Sequence, residues 1–436
     1  MTVLDGPRPA STPIGAMGLS RAVARAPLAR LRDAVRDGSW ASAGRLRAYA
    51  TILIGASLLG IVGLLLTGDG LRDVAGRPYG TDFSQVWVAG RAVLAGHPAA
   101  PFDPATHAAA QRAVFGPATP FYGWHYPPYF LALAAALALL PYGAALAVWQ
   151  GASGLAYWAA MLAASGGMGA ASRSDRRGLS TADVSLAALA FPAVLINLTH
   201  GHNGFLTAAL MGFGCLLMRR RPRLAGLLFG LLCYKPQFAL VLPVALLAAG
   251  AWRTLGAAVL TVAAATFATL AAFGSAPWLA FRASLAFTRT VVLEQGDTGW
   301  EKIQSPFAAV RLLGGSLDIA YAAQALVTLG LVAAVAITWR GGADRRLKAA
   351  LLMVASLLAT PYCLDYDLML LGPALMLTAS LAQDTGWRAW EKSLLAAVWA
   401  MPAVVRLIGG AFHVPLGTPL MLAFVILLLR RSRDPA

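Results

Sequence analysis

Apolar run follows apolar run through nearly the whole chain. After a first at 49–67, others occupy 129–140, 143–165, 182–198, 204–218, 224–234, 237–250, 254–273, 317–339, 348–360, 367–382, 392–409 and 417–429. About 20 apolar residues carry a helix across the ~30 Å hydrocarbon layer of a bilayer. Charged residues make up only 12% of the sequence, half the roughly 25% of a soluble domain. The expected fold class is therefore all-α, a polytopic membrane bundle of about 11–13 membrane segments. Several runs fall short of a full crossing. Broken and half-length helices are tolerated only where they line a cavity or are buried in protein, which points to a functional interior.

The net charge of +16 does not argue for a nucleic-acid partner. The arginines gather in the first fifty residues and at the ends of the apolar runs, which is the positive-inside pattern of a membrane protein. Residues 1–47 are expected to be a flexible basic cytoplasmic tail, 48–430 the membrane domain, and 431–436 a second cytoplasmic tail. Within the first tail, 19–35 alternates Arg with Ala, Leu and Val. It fits either an amphipathic helix on anionic lipid or a free arm. Cytoplasmic turns are expected at Arg173–Arg177, Arg219–Arg223, Arg340–Lys348 and Arg430–Arg433. That leaves 68–127 and 274–316 as outer loops, the first holding a short interfacial helix from Phe83 onward. Two cytoplasmic termini need an even number of crossings, so one segment is not a full span. The conflict falls at 129–165: either one half of that stretch is re-entrant or the Arg173 loop is an exception to the charge rule. Cys215, Cys233 and Cys363 are far apart and read as small core residues, not a disulfide framework.

The expected outer side collects the residues able to do chemistry. Asp82, just beyond the first span, is either a general base or the cap of a helix starting at Phe83. The stretch Trp124–Tyr129 is an aromatic belt in which His125 and Tyr126 are candidate phosphate ligands. Lys235 lies between two half-length apolar runs, where an ammonium group needs an anionic partner or a wet cavity. A lipid phosphate would serve, and so would snorkelling to an interface. Tyr362, Asp365, Tyr366 and Asp367 form a fourth cluster, suited to sugar hydroxyls or to capping the next helix. His200, His202 and Asn203 sit at a hairpin tip with no third metal ligand near in sequence. Gln304 belongs to the long second loop. No nucleotide-binding, zinc-protease or kinase signature is present, so an activated substrate is expected to arrive through the lipid.

Taken in order, Asp82-Phe83, Trp87–Gly90, Gly96-His97-Pro98, Phe102-Asp103, Tyr126-Pro127-Pro128, Gly201–Gly204, Ala225-Gly226 through Lys235-Pro236-Gln237, Gln304-Ser305, Pro361-Tyr362 and Tyr366-Asp367 resemble family 87 of the GT-C glycosyltransferases over roughly 48–430. That family often has Gln where His202 stands. The resemblance implies a GT-C membrane fold and a similarity to polyprenol-phosphate-mannose-dependent α-1,2-mannosyltransferases. It implies inverting transfer of a hexose, by default mannose, from a polyprenyl-phosphate donor to a glycolipid or glycan acceptor at the outer face of the cytoplasmic membrane. No metal or other cofactor would be required. Asp82 would be the base, Lys235, His125 and Tyr126 the donor-phosphate ligands, and Tyr362, Asp365, Tyr366, Asp367, His202, Asn203 and Gln304 the sugar or acceptor contacts. The competing readings are a secondary transporter and a lipid-linked-glycan flippase or ligase, which share a phosphate-binding interior.

Overall fold

The computed structural model describes residues 29–166 and 179–433. The start of the basic tail and the Arg173–Arg177 turn lie outside them. Every regular element among the described residues is a helix, and extended backbone pairs only in isolated bridges. The all-α membrane bundle read from the apolar runs is what the chain builds. Three straight helices, Ala43–Leu66, Trp252–Phe273 and Leu317–Arg340, are long and apolar enough to cross a membrane. Two more paths are bent: Thr181–Leu189 meets Pro192–His200 at 54°, and Glu391–Ala403 meets Val405–Phe412 at 68°. Pro192 and Pro402 sit at these bends, where a missing amide hydrogen and a ring clash break the helical ladder.

The bundle has two chemically distinct ends. At one, Arg47 pairs with Asp183 at 2.6 Å, Arg346 with Asp384 at 2.5 Å, and a buried Arg431 with Glu391. Residues 29–42 dock here too: the Trp390 amide donates to the Arg36 carbonyl at 2.6 Å, and the Trp40 indole to Ser393 Oγ at 2.7 Å. The last helix, Gly417–Arg433, returns to this end, so the first and last described helices begin and finish together. The other end carries the Asp82 region. The innermost helices, Arg345–Leu358 and Leu371–Thr385, are apolar and buried on nearly all sides, as a helix surrounded by protein should be. Ala43–Leu66 instead turns Leu58, Leu59 and Leu66 outward.

In two places the expected segments are too short to cross singly. Helix Tyr129–Leu137 is 9 residues long, about 14 Å at 1.5 Å per residue. It lies against helix Thr81–Leu94, with Gly90 pressed on the Ala134 carbonyl so closely that a Cβ there would meet it at 2.0 Å. The Trp87 indole donates to the Leu140 carbonyl at 3.0 Å. This is the short piece of 129–165, and the 23-residue helix Tyr142–Ala164 follows it. The second case is 224–250. Gly226 packs on Thr254 and Ala257, and Gly230 on Ala258 and Thr261. Numbers rise together, so helix Pro222–Gly230 runs parallel to Trp252–Phe273 and the chain must double back between them. It does so at Lys235, flanked by the 3-10 turns Leu231–Tyr234 and Pro236–Ala239. The two apolar runs are limbs of one re-entrant hairpin that enters and leaves at the arginine end. Tyr234 and Thr207 hydroxyls share a 2.7 Å hydrogen bond, which fixes the tip beside the start of helix Gly204–Leu217.

Candidate active site

Backbone geometry brings Asp82 to its place. Helix Thr81–Leu94 starts after Gly80, and helix Pro192–His200 ends at Gly201; both glycines are left-handed, at φ 66° and 63°. An L side chain is disfavoured there, and a Cβ on Gly201 would also lie 2.6 Å from Phe83 Cβ and 3.2 Å from Gly80 Cα. The two turns can touch only as glycines. Their contact sets Asp82 beside His200: Thr81 Oγ1 and His200 Nδ1 are hydrogen-bonded at 2.8 Å, and Asp82 Oδ2 lies 3.9 Å from the same nitrogen. Asp82 does not cap its helix. Gly80 holds the cap position and makes no side-chain cap, while Asp82 stands in the first turn, where a carboxylate faces the positive end of the helix dipole.

Asp82 keeps 17% of its side-chain exposure, enough to be reached by a substrate and too little to be hydrated as in water. Burial drives its carboxyl up to about 7, against the opposing pull of Lys302, Lys235 and Arg406. A carboxylate with this affinity for a proton is matched to base catalysis near neutral pH.

Three further groups surround it. Lys235, at the hairpin tip, is 3% exposed and forms an ion pair with Asp367, whose other oxygen accepts from the Leu364 amide at 3.1 Å. The same ammonium lies 5.6 Å from the centre of the Tyr366 ring. The expected anionic partner is thus a protein carboxylate 132 residues away in the chain. Tyr366 stacks on His202, with centroids 3.4 Å apart and planes 22° from parallel. Asn203 Nδ2 donates to the Tyr126 hydroxyl at 2.9 Å, and that hydroxyl reaches His202 Nε2 at 3.2 Å. With the tyrosine proton directed to Nε2, His202 carries its hydrogen on Nδ1. Finally, Arg406 Nη1 lies 3.7 Å from Asp365 Oδ2.

Three buried polar atoms here lack a hydrogen-bond partner: His202 Nδ1, Asn203 Oδ1 and Asp365 Oδ2. Orphaned buried polar atoms are uncommon and costly, and a donor and two acceptors in one cluster suit a polyhydroxylated ligand. No group of three or more His, Cys, Asp or Glu side chains able to hold a metal ion occurs among the described residues.

The cluster therefore unites Asp82, Tyr126, His202, Asn203, Lys235, Asp365, Tyr366 and Asp367. It leaves out three residues expected from sequence. His125 faces the other way, its Nδ1 2.9 Å from Thr288 Oγ1, in a small recess with Trp124, Phe102 and Phe287. Tyr362 packs in a separate cluster with Leu293, Ile303 and Phe307. Gln304 is structural: its amide donates to the Glu301 carbonyl at 2.8 Å, and its backbone nitrogen to the Cys363 carbonyl. In their stead the structure supplies His200, Lys302 and Arg406. Arg406 was visible as a charge inside the apolar run 392–409, where ionisable residues are functional by default. Lys302 carried no such signal.

An all-helical membrane fold with an accessible, proton-retaining carboxylate and a buried polar cluster at one end has the form of an integral-membrane transferase. The model of Glycosyltransferase family 87 matches residues 124–361, more than half of the chain, and the protein belongs to that family. The match takes in Tyr126, His202, Asn203 and Lys235; Asp82, Asp365, Asp367 and Arg406 lie outside it. No curated protein and no solved structure matches the chain.

Proposed function

We propose that this glycosyltransferase moves a hexose, by default mannose, from a polyprenyl-phosphate donor to a hydroxyl of a glycolipid or glycan acceptor, at the outer face of the cytoplasmic membrane and with inversion. The observation that carries this reading is Asp82: a carboxylate held near a pKa of about 7, partly open, at the edge of a cluster with unpartnered hydrogen-bonding atoms. Asp82 takes the proton from the acceptor hydroxyl as its oxygen bonds to the anomeric carbon. The bond from that carbon to the phosphate oxygen breaks, and the polyprenyl phosphate leaves with the electron pair. The proton ends on Asp82. His202 Nδ1, Asn203 Oδ1 and Asp365 Oδ2 offer one donor and two acceptors to sugar hydroxyls, with Tyr126 and Tyr366 as the wall behind them.

Lys235 has a narrower part than a free phosphate ligand. Its charge is matched by Asp367, and the pair holds Tyr366 in its stack. The arginine end is then the cytoplasmic face, with both termini there and the Asp82 end outside, in agreement with the positive-inside rule.

The test is a donor panel. Purified protein in lipid nanodiscs is given polyprenyl-phosphate hexoses and, separately, nucleotide hexoses, with a glycolipid acceptor. Release of polyprenyl phosphate with product supports the reading. Transfer from nucleotide sugars alone sinks it.

A further inference from the structure

The ion pair between Lys235 and Asp367 leaves open which cations face a leaving phosphate, and two others at the Asp82 end are not so committed. Lys302 ends the 3-10 turn Trp300–Lys302. It is half-buried and has no hydrogen-bond or ion-pair partner among the described residues. Its neighbour Ile303 bridges to Leu364, which places Lys302 beside the backbone that leads into Asp365. Arg406 comes from the far side of the 68° bend. Its helix, Val405–Phe412, packs on the same turn, with Gly409 close enough that a Cβ would lie 3.0 Å from Glu301 Cβ. Arg406 keeps 47% of its exposure and reaches only one carboxylate, at 3.7 Å. The Glu301 carboxylate folds back over Gly299 and neutralises neither cation. Among neighbouring charges, Lys302 acts most strongly on the Asp82 carboxyl. Two underused cations thus converge on the rim around one carboxylate, and the bend in helix 391–412 is what delivers the second.

We infer that Lys302 and Arg406 form the seat of a phosphate monoester headgroup facing Asp82, and that Lys235 is not that seat. A guanidinium supplies a planar fork and an ammonium a point charge, a combination suited to the oxygens of one phosphate. The seat deepens the proposed donor chemistry and rests on it for the identity of the lipid. Where charge builds on the leaving phosphate, these two groups stabilise it without reorganising.

The experiment measures binding of a short-chain polyprenyl monophosphate to the full-length protein in nanodiscs, with the matching polyprenol and inorganic phosphate as separate ligands. Lys302→Gln and Arg406→Gln should each weaken monophosphate binding roughly 10-fold or more, the scale of a charge-assisted hydrogen bond. Polyprenol binding should stay unchanged, and Arg406→Lys should recover part of the loss. Arg282→Gln removes an exposed cation of the 276–287 helix and should have no effect. If inorganic phosphate competes as well as the lipid, the seat reads phosphate alone; if only the lipid binds, it reads the headgroup on its chain. Either result keeps the seat. Undiminished monophosphate binding by both Gln variants, or equal losses with Arg282→Gln, overturns it. Should those variants bind normally while sugar transfer proceeds, this inference fails and the donor assignment stands. Should wild-type protein bind no polyprenyl monophosphate, the donor assignment falls with it.

Discussion

Replacing Asp82 by Asn removes a base and a buried charge while keeping the size of the side chain. The helix start is undisturbed, since Gly80 and not Asp82 holds the cap position. Burial carries the carboxyl from 3.8 to about 7. Three pKa units at ~1.36 kcal/mol each make the ionised form cost the fold roughly 4 kcal/mol. The folded pKa lies above the unfolded one, so the folded protein holds the extra proton between about pH 4 and pH 7. Stability from this group is complete below that window, falls as pH climbs through it and is level above it. Asp82→Asn should therefore melt with wild type near pH 4 and above it at pH 8, by up to a few kcal/mol. Activity should move the opposite way. Wild-type kcat/KM should rise through about pH 7 and level off as the base ionises, while Asp82→Asn loses transfer by roughly 10²-fold or more. Thermal unfolding in nanodiscs across pH, beside a transfer assay, checks both. Transfer at the wild-type rate by the Asp82→Asn protein would refute the base assignment. A variant less stable than wild type at pH 8 would refute the burial argument.

Other consequences follow from single contacts. Asp103 caps helix Pro104–Phe115 by accepting from the Thr106 amide at 2.8 Å, so Asp103→Asn retains the cap and should transfer sugar within about twofold of wild type, against the ~10²-fold loss at Asp82; comparable losses would remove Asp82 from its special place. Lys235→Met leaves Asp367 buried and unpaired, which should cost about 3–5 kcal/mol, and adding Asp367→Leu should recover most of it; a double variant as unstable as the single, by thermal unfolding, contradicts the pairing. Gly201→Ala forces a Cβ into a left-handed position against Phe83 at about 1–2 kcal/mol and should lower kcat by separating Asp82 from the cluster, while Gly96→Ala, at a left-handed turn with open space around it, should lower stability alone. His125→Gln should weaken folding by about 1 kcal/mol through its lost Thr288 contact and leave lipid-phosphate affinity unchanged; a drop in that affinity would return His125 to the site.

The sequence pattern exposed the bundle because bilayer physics leaves one signature, a long apolar run. It also located the trouble spots: 129–165 violated the crossing parity, and 224–250 was too short for two passes. It did not say how each resolves, since a re-entrant limb and a span look alike until a neighbour shows the direction. The parallel packing of Gly226 and Gly230 on helix Trp252–Phe273 is tertiary information. The same limit explains the site. A lone intramembrane lysine demands a partner, but nothing local names Asp367. His125 and Tyr126 are adjacent in sequence, yet one meets Thr288 and the other enters the cluster. Arg406 stands out as a charge within 392–409, but the break at Val404 that swings it to the Asp82 end leaves no mark on that apolar run.

The central claim is tested most directly by following the two products of one turnover together. Purified wild-type protein is given a β-linked polyprenyl-phosphate hexose and acceptor, and NMR reads the new glycosidic bond while polyprenyl phosphate is quantified. The account predicts an α-linked product, one polyprenyl phosphate released per sugar transferred, and loss of both in Asp82→Asn. A β-linked product, or transfer without lipid-phosphate release, contradicts it.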